Sequence, residues 1–368
     1  MLQFESVRER AENGLIAAGS AAGSARFSIE DRMRFYRVPG MSLAVVNDGR
    51  IEWAKGYGVL CAGRSEPVTP ETRFQAASVS KPVSSLGALA LVEQGRLGLD
   101  APVNSGLASW KLPENHLTRK NPVTLRRLLS HTAGINVHGF RGYPAQVRLP
   151  TLDQILDGLP PANSAPVRVE EVPGEEFRYS GGGMMLVQKL VEDATGERFA
   201  ESMAEQVLRP LGMLQSTFQI IEPTDSNPEF ATAHQVNGQP VAGRWYRYPE
   251  STAAGLWTTA GDLSRFVIEL QESRGGKSNR VISRRMTEVM LTPQKETVGL
   301  GIFVQGSGPA ETFAHDGANI GFRSSFAGFA NRGQGIAVLA NSDSADWLIH
   351  EIARSVAEAY AWPTPSGP

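Results

Sequence analysis

Ser78 and Lys81 are the residues whose types and spacing first suggest chemistry. They stand three positions apart in "QAASVSKPVSSLGALALVEQG", residues 75–95, where apolar residues recur every three or four positions as in a helix. Residues at i and i+3 share one helix face, so the Lys81 amine can lie beside the Ser78 hydroxyl. The first N–H groups of the helix and the positive end of its dipole surround that hydroxyl. The pattern therefore predicts a helix that begins near Ser78 and a serine that an adjacent base can activate.

Tyr179 forms a second candidate feature, in "PGEEFRYSGGGMMLVQKLVEDATG". It precedes three glycines and then an amphipathic helix. Glycines keep side chains away from a neighbouring group, which is typical of a place where the backbone approaches a ligand. A tyrosine that packs at a helix cap explains the same pattern equally well. The pattern alone leaves both interpretations of Tyr179 open.

A third feature is "TFAHDGANIGFRSSF", which places His315 and Gly317 at the end of a predicted strand. The N–H of Ala318 and nearby polar groups could then line a cleft. A single histidine at a strand end is more often an ordinary surface residue, so this motif alone is weak.

The order of secondary-structure patterns predicts an α+β fold. "MSLAVVNDGRIEWAKGYGVL" alternates apolar and polar residues around an Asn-Asp-Gly turn, which predicts a β-hairpin. Short strand patterns return after residue 298, a final helix covers about 345–361, and residues 1–35 suggest a helix with a small-residue interruption. Strands at both ends with helices between predict an antiparallel β-sheet flanked by terminal helices, with a large, mostly helical inserted domain. We place the discontinuous sheet domain at 1–70 and 280–368 and the helical domain at 71–279.

Together the three motifs resemble the serine β-lactamase and penicillin-binding-protein superfamily. The resemblance is to the class C β-lactamase-like family VIII carboxylesterases and to the related D-stereospecific aminopeptidases. It extends over most of the chain, from "PGMSLAVVNDGRIEWAKGYGV" through "VTLRRLLSHTAGI" and "AAGLWTTAGDLSRF" to the final strands. Ser-x-x-Lys comes first, the tyrosine motif about a hundred residues later, and a His-x-Gly motif near the end. The resemblance implies the β-lactamase/transpeptidase-like fold.

The resemblance also implies a role for each motif. Ser78 attacks an acyl carbonyl, Tyr179 takes the proton of its hydroxyl as a base, and Lys81 keeps that base activated. The N–H groups of Ser78 and Ala318 form the oxyanion hole, and the His315 motif contacts substrate.

Further residues have weaker support. Gly317 and Trp257 are expected to contact substrate, although core packing explains Trp257 about as well. His131 in "LLSHTAGI" suggests a Ser-His pair, but in the resembling family this segment is a structural turn. We therefore expect no direct catalytic role for His131.

Two departures from the family pattern bear on the substrate. The Tyr-x-Asn motif of the family is here Tyr179-Ser180-Gly181, so the amide that contacts an acylamino group is missing. His315 stands where true β-lactamases have a lysine, which removes a fixed cation for a substrate carboxylate. Both changes argue against efficient β-lactam hydrolysis and leave acyl transfer on simpler substrates intact.

Composition excludes several function classes. The 368 residues carry 36 Lys and Arg against 38 Asp and Glu, for a net charge of −2, so a nucleic-acid partner is not expected. The one cysteine, Cys61, cannot form an internal disulfide and matches no zinc pattern. No signal peptide and no bilayer-spanning apolar run are recognisable, so we expect a cytoplasmic protein without a membrane span. No metal and no cofactor are expected, and the oligomeric state is not predicted.

Three hypotheses for the function follow. The first is a serine hydrolase that forms an acyl-enzyme, a carboxylesterase for short-chain or small aromatic esters. The second is that the same catalytic residues hydrolyse an amide bond, in a D-amino-acid amidase or peptidase or in a weak β-lactamase. The third is a catalytically silent penicillin-binding-like sensor or interaction protein.

Overall fold

The computed structural model describes residues 6–20, 24–224 and 227–363. Its helices are α1 (Val7–Asn13), α2 (Ile29–Tyr36), α3 (Ser80–Glu93), α4 (Val103–Gly106), α5 (Leu125–Leu129), α6 (Leu152–Asp157), α7 (Gly181–Thr195), α8 (Phe199–Met203), α9 (Ser251–Ala254), α10 (Ala260–Arg274), α11 (Arg284–Met290) and α12 (Asp346–Ala359). Its strands are β1 (Leu15–Ile16), β2 (Arg26–Phe27), β3 (Gly40–Asn47), β4 (Arg50–Gly58), β5 (Phe74–Gln75), β6 (Trp257–Thr258), β7 (Phe303–Gln305), β8 (Thr312–Asn319), β9 (Phe322–Phe329) and β10 (Gly335–Ala340).

A six-stranded antiparallel sheet organises the fold, in the order β4-β3-β10-β9-β8-β7. Its central strands β3 and β10 come from opposite ends of the sequence and pair directly. Side chains of a strand alternate between the two faces of a sheet. In β3, Leu43 and Val45 join the core under the terminal helices, whereas Ala44 joins the core on the opposite face. Because both faces are covered, β3 and β10 are almost continuously apolar.

The terminal helices cover one face of the sheet. Apolar side chains of α1, α2 and α12 form one hydrophobic core with the side chains that β3, β4 and β10 direct to this face of the sheet. Beneath them, Arg32 of α2 and Glu351 of α12 form a buried ion pair, with nitrogen-oxygen distances of 2.7 and 2.9 Å. Glu351 also accepts hydrogen bonds from Ala18 N and the Tyr36 hydroxyl. This carboxylate therefore ties three parts of the terminal layer together.

The helix α3 runs through the largest core, between the sheet and the other helices. Its residues from Ser80 to Leu91 are all buried, which explains why its apolar pattern is not confined to one face. It packs against α7, α9 and the π-helical segment Ala204–Leu208.

Most of the element predictions are confirmed. Asp48 and Gly49 form the hairpin turn between β3 and β4 with φ of 50° and 71°, and the last helix and the late strands lie where the pattern places them. The prediction of a single interrupted helix over residues 1–35 is wrong. Two capped helices occur there, and β1 pairs with β2 between them. The domain limits at 71 and 279 stay a prediction.

We predict that Glu351→Ala lowers the free energy of unfolding by about 3–5 kcal/mol, since it leaves Arg32 as a buried charge without its partner. Urea denaturation followed by circular dichroism measures this loss.

The matched control is Glu358→Ala on the same helix, because Glu358 pairs with Arg26 at the surface. That change is expected to lower the free energy of unfolding by less than about 1 kcal/mol. Equal losses in the two variants would contradict the structural role given to the buried pair.

Candidate active site

Ser78 lies in a single 3-10 turn, Ala77–Val79, that leads directly into α3. Ala77 has φ 48°, a left-handed conformation that costs an alanine about 1–2 kcal/mol. Hydrogen bonds to the preceding residue, Ala76, hold this strained residue in place. Ala76 N donates to Leu256 O at 2.8 Å, and Ser324 Oγ donates to Ala76 O at 2.7 Å. The position of the Ser78 hydroxyl is thus fixed from two separate segments.

Lys81 lies one helical turn after Ser78, as its spacing predicts. Its Nζ donates to Ser78 Oγ at 2.9 Å and to Ala253 O at 2.9 Å. The lysine is only 2% exposed. A buried amine in contact with a half-buried hydroxyl is an arrangement in which a proton can pass between the two groups.

Tyr179 directly precedes α7, and Ser180 caps that helix. Ser180 Oγ accepts from Gly183 N at 2.9 Å and donates to Asn136 O at 2.7 Å. The glycines that follow Tyr179 also have a packing role. A Cβ on Gly182 would lie 2.9 Å from Asn136 O, so this glycine lets the start of α7 pack against the 136–140 loop.

The ring of Tyr179 is surrounded by basic side chains. Lys81 Nζ lies 4.9 Å from the ring centroid. The rings of His131, His138 and His315 lie at centroid distances of 4.4, 5.1 and 6.2 Å. The structure therefore brings together Ser78, Lys81, Tyr179 and His315, the residues that the three motifs single out.

His131 contacts Tyr179 more closely than the sequence suggests. Its Nδ1 accepts a hydrogen bond from Ser180 N at 3.2 Å, so in the neutral ring Nε2 carries the proton. That Nε2 is buried and has no hydrogen-bond partner in the described residues. Burial lowers the pKa of His131 well below its usual value, and the charge of Lys81 adds to the effect. His131 is thus a neutral ring that supports Tyr179, a contact for which "LLSHTAGI" gives no distinct signal.

His315 is also uncharged at neutral pH. Burial lowers its pKa to about 3, with a further contribution from the charge of Lys81. Its Nδ1 donates to Asp316 O at 2.6 Å. Where the resembling β-lactamases have a lysine, this site therefore holds a neutral ring.

The strand β8 approaches the Ser78 turn closely at Gly317. A Cβ there would lie 2.3 Å from Ala76 O and 3.0 Å from Ser78 N, so no larger residue fits without displacing the turn. The pair Asn319–Phe322 closes the two-residue turn to β9, and hydrogen bonding alternates along an antiparallel strand. The N–H of Ala318 consequently points away from β9, towards the edge of β8 that β7 leaves open beyond Ala314. An N–H in this direction next to the Ser78 turn agrees with the predicted oxyanion hole of Ser78 N and Ala318 N, which stays a prediction.

A cavity of about 540 Å³ opens beside Tyr179. Its walls are mainly aromatic, imidazole and uncharged polar side chains. The lining residues are His138, Tyr179, Phe303, Gln305, Thr312, Ala314, His315 and Asp316. An acyl or alcohol group bound here would lie next to the candidate base.

Trp257 does not line this cavity. It is 4% exposed and packs against Phe230, Trp245 and Phe322 at ring distances of 4.9, 5.0 and 5.6 Å. This enclosed aromatic cluster gives Trp257 a packing role, and we withdraw it as a substrate-binding residue.

The 250–256 segment forms backbone hydrogen bonds with several parts of the site. Its Ala253 O binds Lys81, and Leu256 N donates to Ser80 Oγ at 3.0 Å. Its Ala254 O accepts from Asn319 Nδ2 at 3.1 Å, which joins the end of β8 to the same segment. None of these contacts has a signal in the sequence, because they join residues far apart in the chain.

The comparisons with known proteins agree with this architecture. The model of the family described as Beta-lactamase matches residues 27–361. The chain belongs to the beta-lactamase family. This confirms the resemblance and the predicted fold class. No comparison tests the individual site residues, so their roles stay predictions.

The chain is similar to several named proteins. Protein flp of Staphylococcus aureus strain MW2 is 23% identical over 86% of this chain, and esterase EstB of Burkholderia gladioli is 30% identical over 61%. The aligned regions span 62% and 57% of those two proteins. The octameric penicillin-binding protein homologue of Pyrococcus abyssi has a TM-score of 0.72 at 25% identity, over 91% of this chain and 76% of its own.

Within the described ranges, no helix is both long and apolar enough to cross a membrane. The cytoplasmic location stays a prediction.

One buried acid in the 250–256 segment yields a prediction about pH. Glu250 is fully buried, and neither of its carboxyl oxygens has a hydrogen-bond partner at ordinary distance within the described structure. The nearby Tyr143 hydroxyl offsets only part of the effect of burial on its pKa. Burial raises the pKa of Glu250 to about 8, above its usual 4.5. Between these values the folded protein binds one proton more than the unfolded chain. This group therefore lowers the free energy of unfolding by about 1.4 kcal/mol for each pH unit of increase.

Glu250→Gln is expected to abolish this dependence, because glutamine stays neutral. The stability of the variant relative to wild type should rise from pH 5 to pH 8, as measured by urea denaturation at each pH. A difference between the two proteins that does not change with pH would show that Glu250 is ionised in the folded state.

Proposed function

We propose that this protein is a serine hydrolase that forms an acyl-enzyme at Ser78 and acts on small esters. The observation that carries the proposal is the 2.9 Å hydrogen bond between Lys81 Nζ and Ser78 Oγ beside the Tyr179 ring. A serine hydroxyl is a weak nucleophile until a base lies within reach of its proton. Membership of the beta-lactamase family and similarity to a protein named an esterase support the same proposal.

The mechanism assigns one step to each group. Ser78 Oγ attacks the ester carbonyl carbon while its proton passes to the Tyr179–Lys81 pair. The N–H groups of Ser78 and Ala318 stabilise the oxyanion that forms. The tetrahedral intermediate collapses, the same pair returns the proton to the leaving alcohol, and the acyl group stays on Ser78. Water then attacks the acyl-enzyme by the reverse sequence and releases the acid.

Neutral His315 favours simple esters over β-lactams. A β-lactam carries a carboxylate that a fixed cation would bind, and the imidazole of His315 lacks that charge because its pKa is held at about 3 by burial. Gly181, in the position of the family's asparagine, has no side-chain amide that could contact an acylamino group. These two features support an ester substrate ahead of the amidase and β-lactamase alternatives.

We predict that Ser78→Ala abolishes hydrolysis of p-nitrophenyl butyrate, with a loss of roughly 10⁴- to 10⁶-fold in kcat. Tyr179→Phe is expected to lose about 10²- to 10⁴-fold, since it removes the proposed base. Mass spectrometry of wild type quenched during turnover should detect the butyryl group on Ser78.

Ser84→Ala is the matched control on the same helix. Its buried hydroxyl has no hydrogen-bond partner among the described residues, so its removal should leave kcat unchanged. Near wild-type turnover by Ser78→Ala would refute the mechanism.

The alternative functions are tested with two further substrates, a D-alanyl p-nitroanilide and a chromogenic cephalosporin, assayed beside the ester. Faster turnover of the anilide than of the ester would favour an amidase or peptidase, and faster turnover of the cephalosporin would favour a β-lactamase. Absence of any labelling of Ser78 by a fluorophosphonate would favour the silent sensor.

We also predict that Gly317→Ala reduces kcat/KM for the same ester by about 100-fold, because its Cβ would push β8 away from the Ser78 turn and disturb the oxyanion hole. Gly183→Ala is the matched control. A Cβ on Gly183 meets its nearest atom at 3.6 Å, an ordinary contact, so activity should persist. The close approach of β8 would be unimportant for catalysis if both variants kept full activity.

A further inference from the structure

The cavity beside Tyr179 has few charged residues in its lining. Its lining includes neither lysine nor arginine, and Asp316 is its one carboxylate. His315, next to Asp316, is neutral at the pH of a typical assay because burial depresses its pKa. Asp316 therefore supplies the fixed charge in the lining of this cavity.

The carboxylate of Asp316 is available to a ligand. Its residue is exposed, and the described structure gives its side chain neither an ion pair nor a hydrogen bond. Along β8 the buried and exposed positions alternate, so Asp316 and Ala318 share the exposed face while His315 and Gly317 are buried. Asp316 is two residues before Ala318, so its backbone lies at the same open edge of β8 as the N–H that is proposed to bind the oxyanion.

Lys81 adds no charged group to the lining of this cavity. Lys81 is buried, does not line the cavity, and directs its Nζ to Ser78 Oγ and Ala253 O. Asp316 is the carboxylate residue that lines the cavity. Positions two residues apart on a strand are separated by roughly 7 Å. A cation at that distance from a carbonyl bound at Ala318 would reach Asp316.

We infer that the cavity selects substrates that carry an ammonium group roughly 7 Å from the scissile carbonyl, and that Asp316 is the residue that binds this cation. The inference rests on the proposed function and adds a substrate class to it. Because Asp316 is exposed, water screens the attraction. The expected preference is roughly fivefold to tenfold in kcat/KM between a cationic and a neutral substrate of equal length.

Three p-nitrophenyl esters of matched length test the inference. They are the 6-aminohexanoate, the hexanoate and the monoester of adipic acid, whose far ends are cationic, apolar and anionic. Wild type should show the highest kcat/KM for the amino ester and the lowest for the adipate monoester. Sodium chloride should reduce the difference, because salt screens exposed charges.

Asp316→Asn keeps the size of the side chain and removes its charge. We expect the ratio of kcat/KM between the amino ester and the adipate monoester to fall at least tenfold in this variant. Glu114→Gln is the matched control, because it removes one exposed negative charge from a residue that does not line the cavity. It should leave the ratio unchanged.

The outcomes separate this inference from the function on which it rests. If wild type forms an acyl-enzyme on Ser78 with the hexanoate ester but Asp316→Asn keeps the charge preference, only the inference fails. Equal kcat/KM for the three esters in wild type would overturn it too. If no ester acylates Ser78, the proposed function and the inference fail together.

Discussion

A buried lysine amine is the constraint on which the site depends. Removing an ammonium from water costs several kcal/mol unless other groups replace its hydration. For Lys81 these groups are the Ser78 hydroxyl, the carbonyl of Ala253 and the face of the Tyr179 ring. In the described structure none of the partners of Lys81 is a carboxylate. The nucleophile, the 250–256 segment and the start of α7 must therefore all converge on this one nitrogen.

Each of these three segments is held by further contacts that do not involve Lys81. Thr252 Oγ1 donates to Met184 O in α7 at 2.7 Å, so the segment that binds Lys81 is also tied to the helix that follows Tyr179. Asn319 links the same segment to β8 and to Gln75, just before the nucleophile turn. The site is thus rigid because its supports are connected to one another as well as to the reacting groups. Such connected supports are what preorganised catalytic groups need.

Local patterns were sufficient to predict the parts of the structure that local interactions determine. The Asp48-Gly49 hairpin depends on two adjacent residues that tolerate positive φ, and the Ser78–Lys81 contact follows from the helix repeat. Contacts across the fold could not be predicted in this way. The stacking of His131 on Tyr179 depends on how the 131–138 segment crosses the start of α7. Trp257 was ambiguous because an aromatic residue in a cleft and one in a core look alike in sequence, and only the positions of Phe230 and Trp245 decide between them.

The pairing of β3 with β10 has a consequence for synthesis on the ribosome. Residue 46 pairs with residue 335, about 290 positions later in the chain. Translation adds 5–20 residues per second, so roughly 15–60 s pass between synthesis of β3 and synthesis of its partner strand β10. During that time an apolar strand with open backbone groups is exposed, which is the kind of surface that aggregates or recruits chaperones. The central position of the last strand therefore makes folding of the sheet a late event in the life of the nascent chain.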